Sequence, residues 1–288
     1  HKNIHRFSRY DSIVSKRISM TKTYTNILGV HISAINYDVC LRLIQSWISL
    51  RKKKYICVAA VHLVMECQNN PILLAGVNKA GLITPDGMPL IWLSKLYGHK
   101  HCERVYGPTL MLKLCKLAQF HKWKIFLLGG ASRQNLLLIK KITQQFPKII
   151  IVGSKETPTK QLQTKENNKI LHQINNVKPH IVFVGLGCPY QELWMINNHH
   201  RINTNVLIGV GAAFNFLSGS EKQAPPWAQQ SGLEWFYRLY QNPRLLWHRY
   251  TIINALFVLG IFNQLFWYYV ASLFSRLQLL LKSIVFVK

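Results

Sequence analysis

Carboxylates are what this chain has least of: ten Asp and Glu stand against 36 Lys and Arg in 288 residues, a formal charge of +26. Only Asp11, Asp38 and Asp86 are aspartates. Few groups are therefore available as a general base, and no Asp-x-Asp is present to hold Mg²⁺ on a nucleotide diphosphate. Paired cysteines are also missing. Cys40, Cys57, Cys67, Cys102, Cys115 and Cys188 form no CxxC and no zinc-type Cys/His spacing, so they read as buried thiols of a reducing compartment. His99-x-His101 has no carboxylate or thiol beside it and reads as a basic loop, so no metal ligand is assigned. The basic stretch 1–22 has no apolar core segment, and the expectation there is a disordered leader rather than a secretory signal.

The excess of positive charge points to a polyanionic partner: nucleic acid, an anionic membrane face or phosphorylated substrates. A hydrophobic content of 49% can bury a full core, which suits one large domain with an appendage. Apolar runs alternate with helical periods. Short strands are expected at Ile27–Val30, 55–61, Leu82-Ile83, 124–128, 149–152, 180–184 and 206–210. Helices are expected over Tyr37–Leu50 (capped by Asn36), 62–70, 71–80, 88–96, from Pro108, over 134–145, 165–176 and 232–240, with a polar loop at 157–164. This pattern predicts an α/β fold, a doubly wound Rossmann-like parallel sheet with a C-terminal helical appendage. The expected division is a leader at 1–22, a core at 23–220 and a membrane-associating segment at 221–288.

No charged residue occurs from Tyr250 to Ser275. That length could span a bilayer, but Asn254, Asn263 and Gln264 interrupt it and Trp267-Tyr268-Tyr269 is an interfacial-type cluster. The reading preferred is an interfacial helix on anionic lipid, anchored by Arg276, Lys282 and Lys288, with a single spanning helix as the alternative.

Asp86 sits in the Pro/Gly-framed turn Thr84-Pro85-Asp86-Gly87, just past a strand's carboxyl end, where open α/β sheets place their chemistry. Glycines follow other strands: Gly129-Gly130, Gly185-x-Gly187 and Gly209-x-Gly211. Such residues let backbone amides approach a phosphate, although glycine also ends buried strands for packing reasons. A nicotinamide dinucleotide is disfavoured, because the later positions of G-x-G-x-x-G hold Tyr190 and Phe214. Gln191-Glu192 opens a helix after Pro189. Glu192 there either complements the helix dipole or, with Gln191, hydrogen-bonds a uracil or ribose edge. Arg104, Arg238, Arg244 and Arg249 either lie on solvated faces or, beside Trp and Tyr, bind phosphate at a membrane surface.

Between about Tyr24 and Tyr250 the chain resembles the WecG/TagA/CpsF glycosyltransferases of bacterial surface-polysaccharide and teichoic-acid synthesis. The resemblance is carried by residues 82–89 (LITPDGMP), 104–108 (RVYGP), 126–130 (FLLGG), 184–192 (VGLGCPYQE), 208–214 (IGVGAAF), 223–225 (QAP) and 232–239 (GLEWFYRL). It implies a metal-independent, inverting transferase with no cofactor, moving a sugar from a UDP-sugar to a polyprenyl-diphosphate-linked sugar at the cytoplasmic face of the bacterial inner membrane. It also implies Asp86 as the base, and a donor site of Thr84, Gly87, Arg104, Gly107, Gly129, Gly130, Gly185, Gly187, Pro189, Gln191, Glu192, Gly209, Gly211 and Phe214. Arg238, Arg244 and Arg249 would meet the acceptor diphosphate. Two positions depart from the family's pattern: Ala60, near where members often carry Asn, and Asn215, where Asp is common. Two other readings remain, a membrane-tethered UDP-sugar-binding scaffold without activity and a nucleic-acid-binding protein. The latter is disfavoured because no nucleic-acid motif appears and the basic residues are spread along the chain. Homo-oligomerisation is left open.

Overall fold

The structure, a computed structural model, describes residues 23–157 and 162–285. The expected leader 1–22, residues 158–161 of the expected polar loop and Lys288 lie outside the described residues. Six strands form one parallel sheet: β3 (Lys54–Ala59), β4 (Leu82–Pro85), β5 (Lys124–Gly129), β6 (Ile150–Lys155), β7 (Ile181–Gly185) and β8 (Val206–Gly209), in the order β4-β3-β8-β7-β5-β6. Helices α1 (Tyr37–Ser49), α2 (Val61–Asn69), α3 (Pro71–Asn78), α4 (Met88–Leu96), α5 (Gly107–His121), α6 (Ser132–Gln145), α7 (Thr164–Val177), α8 (Tyr190–Asn198) and α9 (Ala213–Ser218) alternate with them. This is the expected α/β class.

The strands are almost wholly apolar because both faces of the sheet are covered. Along β3, Tyr55, Cys57 and Ala59 pack on one side against Val64, Cys67 and Met195, while Ile56 packs on the other with Leu110, Leu114 and Ile208. Helix α1 begins where expected, because the Asn36 side chain accepts the Val39 amide at 3.0 Å.

One expectation is corrected. Ile27-Leu28-Gly29-Val30 is not a strand but the turn of an antiparallel hairpin joining β1 (Tyr24–Ile27) to β2 (Val30–Ser33). Leu28 (φ 47°) and Gly29 (φ 81°) are both left-handed, as a two-residue turn of this hand requires. Four apolar-leaning residues in a row disguised a bend whose signal was the glycine.

The C-terminal segment is α10 (Pro226–Gln230), α11 (Glu234–Gln241), α12 (Pro243–His248), a π-helical turn at Arg249–Ile253, and α13 (Asn254–Val285). Within it, Leu246–Val270 is the one stretch among the described residues long and apolar enough to cross a membrane, by length and composition. One face of α13 nevertheless rests on the hairpin. Phe257 is buried, Gly260 lies against Leu28, and Tyr268 meets Tyr97 edge-on at 5.4 Å. Gln264, on the same face, makes three bonds, two to the hairpin and one beside it: its Oε1 accepts the Leu28 amide at 2.7 Å, and its Nε2 donates to the Asn26 carbonyl at 2.8 Å and to the hydroxyl of Tyr97, at the end of α4, at 3.1 Å. The opposite face, with Leu259, Phe262 and Phe266, is exposed, and so is Trp267 on the flank. Gln264→Ala removes all three bonds, a loss of about 1–3 kcal/mol at this contact. The expected result is faster limited proteolysis within residues 243–285 in Gln264→Ala, with the melting of the sheet domain little changed.

Candidate active site

Asp86 leaves β4 at the carboxyl edge of the sheet. Its amide and that of Gly87 donate to the Ala59 carbonyl at 2.8 and 3.3 Å, which ties the turn to the end of the neighbouring strand β3. Pro85 receives the Val105 amide at 2.8 Å, and that bond draws the segment Arg104–Gly107 alongside. The Gly107 amide then donates to Asp86 Oδ1 at 3.3 Å.

Arg104 is the joint between this turn and the C-terminal segment. Its Nε donates to the Asp86 carbonyl at 2.6 Å, Nη1 to the Gln229 carbonyl at 3.3 Å and Nη2 to Glu234 Oε2 at 2.6 Å. The guanidinium lies 4.2 Å from the centre of the Tyr106 ring, and the Tyr106 hydroxyl donates to Glu234 Oε1 at 3.1 Å. Arg104 Nη2 stands 3.9 Å from Asp86 Oδ1. Burial pushes the Asp86 carboxyl up to about 6; Arg104 pulls it down, Glu234 pushes it up, and the Gly107 amide and Arg238 pull it down. Its side chain keeps 22% of its surface open. A carboxyl with these properties can exchange a proton near neutral pH.

The glycine loops lie on the adjacent strands. Gly129 (φ 119°) ends β5 so close to β7 that a Cβ there would run into the Gly185 carbonyl, and a Cβ on Gly185 would stand 3.0 Å from the Phe214 ring. The two glycines therefore let β5, β7 and the buried Phe214 interlock. Gly130, Gly187 and Gly211 carry left-handed φ values at the same edge. Gln191 bridges two of the loops: its Oε1 accepts the Gly211 amide at 3.0 Å and its Nε2 donates to Glu192 Oε1 at 2.7 Å. Asn215 links the third, accepting from Gln134 and donating to Glu221 Oε1 at 2.6 Å. An aspartate at 215 would present two anions to each other at that contact, so the amide suits its neighbours.

A second polar group lies on the α2 side of the sheet. Glu192 is fully buried, and burial pushes its carboxyl up to about 7. His62 Nδ1 lies 3.7 Å from Glu66, and burial, reinforced by the Arg249 cation, pushes His62 down to about 4, so the ring is neutral at pH 7.

The structure thus divides the residues expected from sequence. Asp86, Gly87, Arg104 and Gly107 meet at one point. Gly129, Gly130, Gly185, Gly187, Pro189, Gln191, Gly209, Gly211 and Phe214 belong to the neighbouring loops, with Pro189 following a cis peptide bond. Thr84 is fully buried within β4. The three C-terminal arginines have different surroundings: Arg238 lies over Phe216 at 5.4 Å and acts on Asp86, Arg249 faces His62 and Glu192, and Arg244 is exposed. Arg104 and Gln191 have their polar groups engaged by protein partners. Glu234, Tyr106, His62 and Gln134 were missed as site-region residues. For Glu234 a signal existed: any carboxylate in a chain with ten is worth following.

An open parallel sheet with glycine loops and a perturbed carboxylate at its carboxyl edge defines the class of α/β proteins whose ligands lie beyond the strand ends. More narrowly, the sequence model of the Glycosyl transferase WecG/TagA/CpsF family matches residues 25–270, and the chain belongs to that family. Relatives bearing the name N-acetylglucosaminyldiphosphoundecaprenol N-acetyl-beta-D-mannosaminyltransferase include a Bacillus subtilis protein, 32% identical over 167 residues, 58% of this chain and 63% of the relative. A Bacillus spizizenii protein is 30% identical over 198 residues, 69% of this chain and 75% of the relative. A Staphylococcus aureus protein is 26% identical over 184 residues, 64% and 70%. The match thus spans less than two thirds of the Bacillus subtilis relative's length.

The folded value of Glu192, about 7, lies above its reference of 4.5, so the folded state holds that proton more tightly than the unfolded one. This carboxyl costs no stability below the unfolded value and destabilises progressively as pH rises through the folded value. Glu192→Gln is expected to gain on the native protein by roughly 2–3 kcal/mol more at pH 8 than at pH 5, read from denaturant melts.

Proposed function

We propose that this protein is an inverting, metal-independent glycosyltransferase that moves an N-acetylhexosamine from a UDP-sugar to a polyprenyl-diphosphate-linked sugar. The observation that carries the mechanistic reading is the Asp86 carboxyl at the sheet's carboxyl edge, raised to about 6, partly open and set beside the glycine loops. The family membership and the names of the relatives supply the reaction class.

In this reading Asp86 takes the proton of the acceptor hydroxyl as that oxygen forms its bond to the anomeric carbon. The bond from that carbon to the UDP oxygen breaks on the opposite face, and the electron pair leaves with the diphosphate. The developing charge is met by amides of the loops after β5, β7 and β8 and by arginine, which fits a chain without Asp-x-Asp. Arg238 and Arg249 approach the same edge from the C-terminal segment, the natural carriers of the acceptor's diphosphate.

The exposed apolar face of α13, with Phe262, Phe266 and Tyr269, suits an interfacial helix and so a peripheral position on the cytoplasmic face of the membrane. With its inner face bound to the hairpin through Gln264, the helix favours lying on the surface over crossing it.

Asp86→Asn keeps the shape of the turn and removes the base. Transfer to a lipid-linked acceptor is expected to fall about 100-fold or more, with an unaltered circular dichroism spectrum. Near-native turnover of this variant would refute the assignment. In the native protein, kcat is expected to drop as pH falls through about 6, because Asp86 takes up a proton there.

A further inference from the structure

Arg104 lies between two carboxylates and its Nη2 serves them unequally, at 2.6 Å to Glu234 and 3.9 Å to Asp86. The rest of the guanidinium is fixed: Nε is held by the Asp86 carbonyl and Nη1 by the Gln229 carbonyl. Glu234 is itself held by the Tyr106 hydroxyl, and its side chain is only 12% exposed. The cation therefore stays where it is by virtue of a residue from α11, 148 positions further along the chain than the carboxylate it would otherwise join.

We propose that Glu234 is a positioning residue for Asp86: by engaging the Arg104 guanidinium it keeps that cation from closing on the Asp86 carboxylate, so that a working base is completed only when the C-terminal segment is seated. The inference rests on Asp86 being the base. An aspartate in contact with an unshared arginine is a poor proton acceptor, since the ion pair stabilises the deprotonated form. With α11 in place the arginine's charge is shared and Asp86 holds its proton more readily. Seating the segment that carries Arg238 and Arg249 and preparing the base thus become one event.

The charged and titratable groups facing Asp86 come from three places: Arg104 and Tyr106 from the loop before α5, with the Gly107 amide that opens that helix; Tyr37 from α1; and Glu234 and Arg238 from α11. Removing Glu234 takes away one negative charge and frees Arg104. Both changes lower the proton affinity of Asp86, so the sign is unambiguous.

The test is the pH dependence of kcat for the full chain, with a UDP-N-acetylhexosamine donor and a lipid-linked acceptor in vesicles. In Glu234→Gln the acid limb is expected to move to lower pH by about 1 unit, the scale for removing one close charge. Glu234→Asp, which keeps the charge, should return it toward the native position. Tyr106→Phe removes a hydrogen bond without altering charge, and should lower the rate with the limb unmoved. A Glu234→Gln limb that coincides with the native one overturns the proposal.

Should Glu234→Gln fail to fold, the pair Arg104→Gln and Arg104→Gln/Glu234→Gln decides, because neither variant leaves the Arg104 cation without the Glu234 carboxylate. With Arg104 gone only the direct charge effect of Glu234 on Asp86 is left, so the double-variant limb should lie below the single-variant limb by clearly less than about 1 unit; a displacement of about 1 unit or more overturns the mechanism. Asp86→Asn in the same series separates the two ideas. If it turns over with an acid limb intact, the base assignment itself has failed and the proposal with it. If it is silent while the Glu234→Gln limb stays in place, only the coupling has failed.

Discussion

The guanidinium of Arg104 is the constraint on which the arrangement of this molecule's edge depends. It closes a ring of contacts from the Asp86 carbonyl, through the Gln229 carbonyl and the Glu234 carboxylate, back through Tyr106 to the strand-end turn. A charged group this enclosed is tolerated only when its donors are met, and here three backbone or carboxylate oxygens meet them. No lysine could do this, because the contacts diverge in a plane and need the fork geometry of arginine. Through that one side chain the C-terminal segment is held against the turn that carries the carboxylate.

The few acids are concentrated where they have consequences. Asp86 and Glu192 follow strand ends at the carboxyl edge, and Glu221 and Glu234 reach the same region from the last third of the chain. In a protein with a charge of +26, each would be strongly stabilised as an anion if exposed. Burial opposes that, and for Asp86 and Glu192 it prevails. The outcome is two carboxyls with raised proton affinity on opposite sides of β3, one beside Arg104 and Glu234, the other beside the Gln191 amide and the Cys188 thiol, with Arg249 acting on it. Their environments differ enough that they need not share a role, and the resemblance implies a different one for each: the base for Asp86, the donor site for Glu192.

Much of the fold was legible because its signals are local. Apolar runs such as 55–61 and 180–184 mark strands covered on both faces, and Asn36 and Pro108 mark helix starts. The hairpin turn was hidden because Leu28 takes a left-handed conformation that its side chain does not favour, leaving only Gly29 to announce it. At the site, Asp86 stood out by scarcity and by its Pro/Gly frame. The partnership of Glu234 with Arg104 did not, because 130 residues separate them and no spacing rule reaches that far. Gln191 shows the converse: a polar residue in a glycine loop looks ready for a ligand, yet folding uses both ends of its amide to hold the loops to each other.

The bonds from Gln264 to the β1–β2 turn fix more than the attachment of a helix. An apolar rod free to roll about its axis would present any face to its surroundings; one gripped by a side-chain amide, with Phe257 and Gly260 seated in line, has a single azimuth. Gln264 lies ten residues beyond Asn254, about 15 Å along the rod at 1.5 Å per residue. The height of the sheet's carboxyl edge above any flat surface that receives Phe262 and Phe266 is thereby a set length, and the folded chain serves as its own depth gauge.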